Sequence, residues 1–509
     1  MLRTTALRRG LVLALVALLA VAGCTPPRHQ APVAPPPEPV VPEDVAPELA
    51  AFYSQTLEWT ECGELQCADV RAPLDWEEPG AGEITIRVAR QLATGERRGS
   101  LLVNPGGPGA SGVGLVEQVG TLFGERLLEA YDVVGFDPRG VGESSAVACL
   151  DDAGKDEHFS RDFDYSTEAG LEEAFAAWEA FGAACAARTG ELLGKVSTVQ
   201  SARDLDLLRG VLGDETLTYL GYSYGTALGV TYAGLFPHRA GRLVLDGGVD
   251  PNLDSHAANL EQAAGFEKAL RNFVEYCHAR SACPLTGTVD ESLAEISRLV
   301  DRARRAPLPT KDPVRGVTAT MLFYGLAVPL YDNRAWSFLT EALKETIEQG
   351  TATLFLSLAD IYFDRDASGE YLSNQNEAFY AINCADGRTH ADPERMAAEA
   401  EEILEVAPTM GEFFGYGGVI CARWPVPADE TEVDYSAPGA PPILVVGTTE
   451  DPATPYHWSV ALADVIDSGV LLTYEGEGHT AYGRSNDCVD STVEDFLVDG
   501  KVPAQGTRC

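Results

Sequence analysis

A serine, a histidine and an aspartate in this chain have the surroundings that acyl-transfer chemistry requires. Ser223 is the centre of Gly221-Tyr222-Ser223-Tyr224-Gly225, after a β-prone run at 217–220 and before a helix-prone segment at 226–236. G-x-S-x-G between a strand and a helix is the setting of a nucleophile elbow, a strained turn that lifts the hydroxyl clear of a sheet. Glycines at both ends of the pentapeptide let strand and helix approach closely. A serine hydroxyl is a weak nucleophile at neutral pH. It needs a base within hydrogen-bond reach, and the base needs an orienting carboxylate.

The chain has eight histidines. His29 lies in a proline-rich stretch. His256, His278 and His390 fall in a helical insertion, His158 and His238 in polar loop or helix-end contexts, and His457 opens a helix. His479 alone sits in a glycine-rich turn, Gly476-Glu477-Gly478-His479, just past the last apolar strand pattern. Two acids end strand-like runs, Asp246 and Asp451. Asp451 gives the chain order Ser, Asp, His found in sheet-based hydrolases; Asp246 is expected to bond backbone amides of the following turn. The expected triad is Ser223, Asp451 and His479. An oxyanion needs backbone N–H donors. Tyr224, directly after the nucleophile, and Gly107, in the loop Asn104-Pro105-Gly106-Gly107-Pro108-Gly109, are the expected pair. The same loop contains a formal G-x-G-x-x-G, but Pro108 removes an amide that a dinucleotide phosphate would use. No cofactor is expected. No H-E-x-x-H or zinc-type cysteine spacing occurs, so no metal is expected either.

Positioning these groups takes a particular frame. Residues 68–74 and 83–91 alternate apolar and polar as antiparallel strands do. Apolar runs at 99–103, 131–136, 217–220, 242–245, 442–446 and 470–474 read as buried strands, several separated by helical patterns such as 202–212. That alternation predicts a mostly parallel sheet with helices on both faces. From 250 to 428 helical patterns dominate (260–279, 289–305, 335–349, 393–406), and strand signals return afterwards. The expected organisation is an α/β-hydrolase core in two parts, 51–249 and 429–509, with a helical cap at 250–428.

The first 23 residues read as a signal peptide: Arg3, Arg8 and Arg9 precede an apolar run too short to span a bilayer comfortably. Val21-Ala22-Gly23-Cys24 resembles a lipobox, which implies cleavage before Cys24 and a lipid on its sulfur. Residues 24–50, with Pro35-Pro36-Pro37, read as an extended tether. The expected location is outside the cell, held to the membrane by the lipid, or plainly secreted. Beyond Cys24 ten cysteines remain, an even number that implies disulfides in an exported chain. Nearest-neighbour pairing is the expectation. The net charge of −40 argues against nucleic acid and anionic membrane surfaces as partners. Peptides are the expected partner, with contact to the membrane through the anchor alone, and a monomer is expected.

With these residues in view, the chain resembles the secreted tripeptidyl aminopeptidases of actinobacteria, relatives of the proline iminopeptidases. The likeness runs through Trp59-Thr60-Glu61-Cys62, Ala72-Pro73-Leu74-Asp75-Trp76, the 104–112 loop, Gly135-Phe136-Asp137-Pro138-Arg139-Gly140 and the elbow. It continues in Ala381-Ile382-Asn383-Cys384-Ala385-Asp386, Cys421-Ala422-Arg423-Trp424-Pro425, Asp451-Pro452-Ala453-Thr454-Pro455 and Gly478-His479-Thr480. Ala453 stands where the family more often has valine. The resemblance implies release of short peptides, tripeptides above all, from free N-termini. Such an enzyme must hold the terminal ammonium, and a desolvated cation needs an acid beside it; Asp386 is the candidate. Two rivals use the same residues differently: a carboxylic ester hydrolase with the same triad, and a binding lipoprotein with no activity.

Overall fold

The computed structural model describes residues 38–387, 389–390 and 392–509. The signal peptide, Cys24 and most of the tether lie outside the described residues. Ten strands among those described form one sheet, ordered β1-β2-β3-β5-β4-β6-β7-β8-β9-β10. They are β1 (Thr60–Cys62), β2 (Leu65–Pro73), β3 (Glu83–Gln91), β4 (Gly99–Asn104), β5 (Tyr131–Phe136), β6 (Leu217–Tyr222), β7 (Ala240–Asp246), β8 (Ile443–Glu450), β9 (Gly469–Glu477) and β10 (Thr507–Arg508). β1, β2, β3 and β5 pair antiparallel, and every pair from β5 to β10 is parallel. This is the α/β-hydrolase arrangement that the strand and helix patterns predict.

β4 and β5 are buried at every position. That is why they read as unbroken apolar runs, since helices cover both faces of a parallel sheet. One face packs with Leu102, Leu205, Leu208 and Leu228, the other with Leu101, Val103, Leu220 and Leu444. Each such side chain contributes about 2 kcal/mol by leaving water. The order turns around at β4: the chain places β5 on one side of it and β6 on the other. Loops leaving the carboxyl ends of two neighbouring strands diverge at such a point, and ligands bind in the crevice between them. Here those loops are the glycine-rich 104–112 segment and the elbow, brought together by the Asn104–Gly221 register.

Between β7 and β8 the named elements are all helical. Their own core gathers Phe266, Phe273, Ile296, Leu322, Leu339 and Phe355. The helical layer also draws on chain before β6. Helices Asp152–Phe159 and Glu168–Thr189 follow β5, and Phe159 stacks on Phe363 with ring centroids 5.4 Å apart.

The packed chain begins earlier than the expected boundary at residue 51. Val40 donates its N–H to the Gly210 carbonyl at 2.8 Å, and Asp44 pairs with Arg239. Five disulfides join cysteines in nearest-neighbour order: Cys62–Cys67, Cys149–Cys185, Cys277–Cys283, Cys384–Cys421 and Cys488–Cys509.

Candidate active site

Ser223 follows β6 and caps the helix Tyr224–Leu235 with φ 55° and ψ −123°. A non-glycine residue in that region is strained and persists only where its surroundings hold it. The holding contacts are local. Ser223 donates its N–H to the Asp246 carbonyl at 2.8 Å, and its own carbonyl accepts from Thr226 N–H at 2.8 Å and from the Thr226 hydroxyl at 2.6 Å. Any side chain at Gly221 would collide with the elbow, because a Cβ there would lie 2.3 Å from the Gly225 carbonyl oxygen.

His479 and Asp451 come together as expected from their places after β9 and β8. The imidazole Nδ1 lies 2.9 Å from both Asp451 carboxylate oxygens. Asp451 also accepts the N–H groups of Ala453 and Thr454 at 2.9 Å, that of Thr480 at 3.2 Å and the Thr454 hydroxyl at 3.1 Å. So many donors fix the carboxylate in direction. A Cβ on Gly247 would sit 3.4 Å from His479 Cε1. Gly247 follows Asp246, the hydrogen-bond partner of Ser223, so the imidazole stands beside the elbow. Hydrogen bonds of the His479 ring are all on Nδ1. Nε2 and Ser223 Oγ are not hydrogen-bonded to each other here; such a bond is commonly long without substrate and tightens in the complex.

Asp246 makes no hydrogen bond to His479, and the amides it accepts belong to a distant segment, not to the following turn that the sequence predicts. Its carboxylate accepts Ala481 N–H at 3.0 Å and Tyr482 N–H at 2.8 Å. Full burial pushes its carboxyl up to about 6. Its structural role is to tie the chain after His479 to the end of β7.

The glycine loop lies against the elbow. A Cβ on Gly106 would fall 2.9 Å from Ser223 Cβ and 3.2 Å from Tyr224 N. Gly107 is exposed, with φ 108°. Tyr224 opens its helix, where an N–H has no helical acceptor. Asp137 pins the far end of the loop, accepting the Ser111 hydroxyl at 2.6 Å and Val113 N–H at 3.2 Å. Behind it, fully buried Arg139 forks onto Asp204 with both bonds at 2.7 Å. The Asp137-Pro138-Arg139 motif is therefore scaffolding for the glycine-rich loop.

Over the loop runs the helix Gln375–Asp386. A Cβ on Gly109 would lie 2.5 Å from the Gln375 carbonyl oxygen, so only glycine permits this contact. At the other end of the helix, Asp386 accepts Thr198 N–H and the Thr198 hydroxyl, both at 2.6 Å. Thr198 Oγ1 is in turn 2.6 Å from the Tyr224 hydroxyl. Asp386 keeps solvent-exposed surface, while protein atoms crowd around its carboxyl. That crowding pushes its carboxyl up to about 7, and nearby Asp429 adds to the rise.

Two contacts lie beyond the sequence reading. Tyr331 accepts the His479 N–H at 2.8 Å through its carbonyl, and its ring meets the imidazole edge-on at 5.4 Å. No periodicity marks it. Thr454 Oγ1 lies 3.4 Å from His479 Nδ1. Here a signal exists: an aspartate that accepts N–H groups two and three residues on makes a local turn, which carries Thr454 back to the acid.

A family model described as TAP-like protein matches residues 407–509, a span that contains Asp451 and His479. Serine protease Hip1 of Mycobacterium tuberculosis (strain H37Rv) is 39% identical over 479 residues, covering 89% of this chain and 91% of its own. Carboxylesterase B of the same strain is 38% identical over 469 residues, with 89% of both chains covered. Tripeptidyl aminopeptidase of Streptomyces lividans is 31% identical over 470 residues, covering 89% of this chain and 86% of its own. Identity at this level along nine-tenths of the length, on a sheet with this elbow, means that the chain belongs to the TAP-like family of α/β-hydrolases.

Proposed function

We propose that the protein is a serine peptidase that removes tripeptides from free N-termini. The observation that carries this reading is the Asp451–His479 pair beside the strained Ser223 elbow, under a helical layer in which Asp386 is exposed. Ser223 Oγ attacks the scissile carbonyl carbon, and its proton passes to His479 Nε2. The oxyanion is received by the N–H groups of Tyr224 and Gly107, each such donor contributing about 3 kcal/mol. His479 then gives the proton to the leaving amine, the C–N bond breaks, and the peptide is left as an ester on Ser223. Water, deprotonated by His479, attacks that ester and frees the peptide acid. Asp451 holds the imidazole and stabilises its charged form throughout.

Asp386 is the proposed partner of the substrate ammonium. Its carboxylate connects through Thr198 to the hydroxyl of Tyr224, the residue after the nucleophile. An extended tripeptide spans about 10 Å, which suits an acid set back from Ser223 rather than beside it.

The lipid anchor on Cys24 is part of the proposal and rests on the Val21-Ala22-Gly23-Cys24 sequence alone. Val40 and Asp44 contact Gly210 and Arg239, at the edge where β6 and β7 begin. The catalytic groups follow the opposite end of β6 and the ends of β8 and β9.

A second reading, ester hydrolysis, is favoured by the relative named carboxylesterase B. Mass spectrometry of a nonapeptide incubated with the enzyme separates the two. Stepwise loss of N-terminal tripeptides supports the peptidase. An intact peptide, with rapid hydrolysis of short p-nitrophenyl esters, supports the esterase.

A further inference from the structure

The helical layer contains a recess of about 150 Å³ that the mechanism leaves unused. Its walls are rings, chiefly Phe163, Tyr165, Trp178, Tyr324, Tyr380 and Tyr416. Trp178 meets Tyr380 edge-on with centroids 4.6 Å apart, and Tyr165 stacks on Tyr416 at 4.9 Å. The charged groups at its margin are already paired. Arg304 bonds Glu412, Arg161 pairs with Glu173 at 2.8 Å, and Asp162 accepts the N–H groups of Ala319 and Thr320 at 3.0 and 2.8 Å. His158 stacks on Phe181 at 4.5 Å, and burial pushes its imidazole down to about 4. At neutral pH it is an uncharged part of the wall.

Two of these walls extend to the catalytic centre. Tyr380 stands on the helix Gln375–Asp386, where the preceding residue, Phe379, packs on Gly109 of the oxyanion loop. Tyr324 stacks on Tyr362 with centroids 4.0 Å apart, and Tyr324 and Tyr331, the ring on His479, pack against the same apolar core of the helical layer. A space this small holds one side chain rather than a length of backbone. A charged side chain would have to compete with bonds that Arg304, Arg161 and Asp162 already make, and burying it unpaired is unfavourable. A ring would meet edges and faces on several sides, the geometry in which aromatic pairs gain beyond plain burial.

We propose that this recess is the subsite for an aromatic side chain of the bound peptide, with Trp178 and Tyr380 setting the preference. The proposal rests on the peptidase reading above. The test uses the full-length protein and a series of peptides with alanine at the first three positions, replaced singly by Phe, Leu, Lys or Glu. At one of the three positions Phe should exceed Ala, Lys and Glu in kcat/KM by about tenfold. Trp178→Ala, which opens a wall, should bring the Phe-to-Ala ratio close to one. Ile420→Trp, which fills the recess, should do the same, so that a folding failure in either variant leaves the other to decide. Labelling of Ser223 by a fluorophosphonate confirms that each variant is folded. Cleavage with no aromatic preference at any position, or a preference that survives both variants, overturns the subsite alone. Failure to cleave any peptide overturns the peptidase reading, and the subsite with it.

Discussion

Tyr331 lies edge-on against His479, with ring centroids 5.4 Å apart and planes at 80°. A residue of the helical layer thus packs on the proposed catalytic base, so that layer helps to build the site as well as cover it. Tyr331→Ala leaves the backbone bond to His479 in place and removes the ring. We expect kcat to fall about tenfold, or 1.4 kcal/mol of barrier, with KM changed far less. The fluorophosphonate labelling rate should fall in parallel.

The two buried acids have separate duties, and substitution should separate them. Asp451→Asn keeps the shape but disturbs the tautomer of His479, and the corresponding change in a serine protease triad lowers kcat about 10⁴-fold. Thermal stability should move little. Asp246→Ala instead unpairs the amides of Ala481 and Tyr482. An unsatisfied buried amide costs about 1–3 kcal/mol, so calorimetry should show a clear drop in Tm. Activity at low temperature should fall much less than in Asp451→Asn.

How far the sequence discloses this site depends on the range of the contacts. The elbow, Asp451 and His479 each follow a strand that sequence pattern predicts, and the sheet edge brings them together. β1 and β10 escape notice because edge strands of three and two residues carry no periodicity. The approach of Tyr331 to His479 escapes it too, since packing between distant segments leaves no local trace. Asp386 reads as an acid near a cysteine, and its bonds to Thr198 across 188 residues emerge only in three dimensions.

The raised carboxyl of Asp386 has a pH consequence. As pH rises through about 7 the carboxyl ionises and can pair with the substrate ammonium, so KM should fall. Above the α-amine pKa of about 8 the ammonium is lost and KM should rise again. Asp386→Asn should flatten the acidic limb of the KM profile. Stability runs the other way. A carboxyl raised in the fold stabilises it fully below its ordinary value of 3.8, and that contribution is lost as pH climbs through about 7. The Tm of the wild type relative to Asp386→Asn should therefore decline across that window.

The Cys384–Cys421 bridge closes a separation of 37 residues and holds the helix that ends at Asp386. Removing such a loop constraint costs about 3–4 kcal/mol in the chain-entropy account. The double variant Cys384→Ser with Cys421→Ser should melt at lower temperature. Its KM should rise more than its kcat falls, because Asp386 is displaced while the triad is anchored elsewhere.

The most direct test of the convergence of Ser223, Asp451 and His479 is the site and rate of fluorophosphonate labelling, read by peptide mass spectrometry. One adduct is expected, on Ser223, formed rapidly in the wild type and slowed at least a thousandfold (about 4 kcal/mol) in His479→Ala. An adduct on another serine, no adduct on folded protein, or equal rates in the two proteins would contradict it.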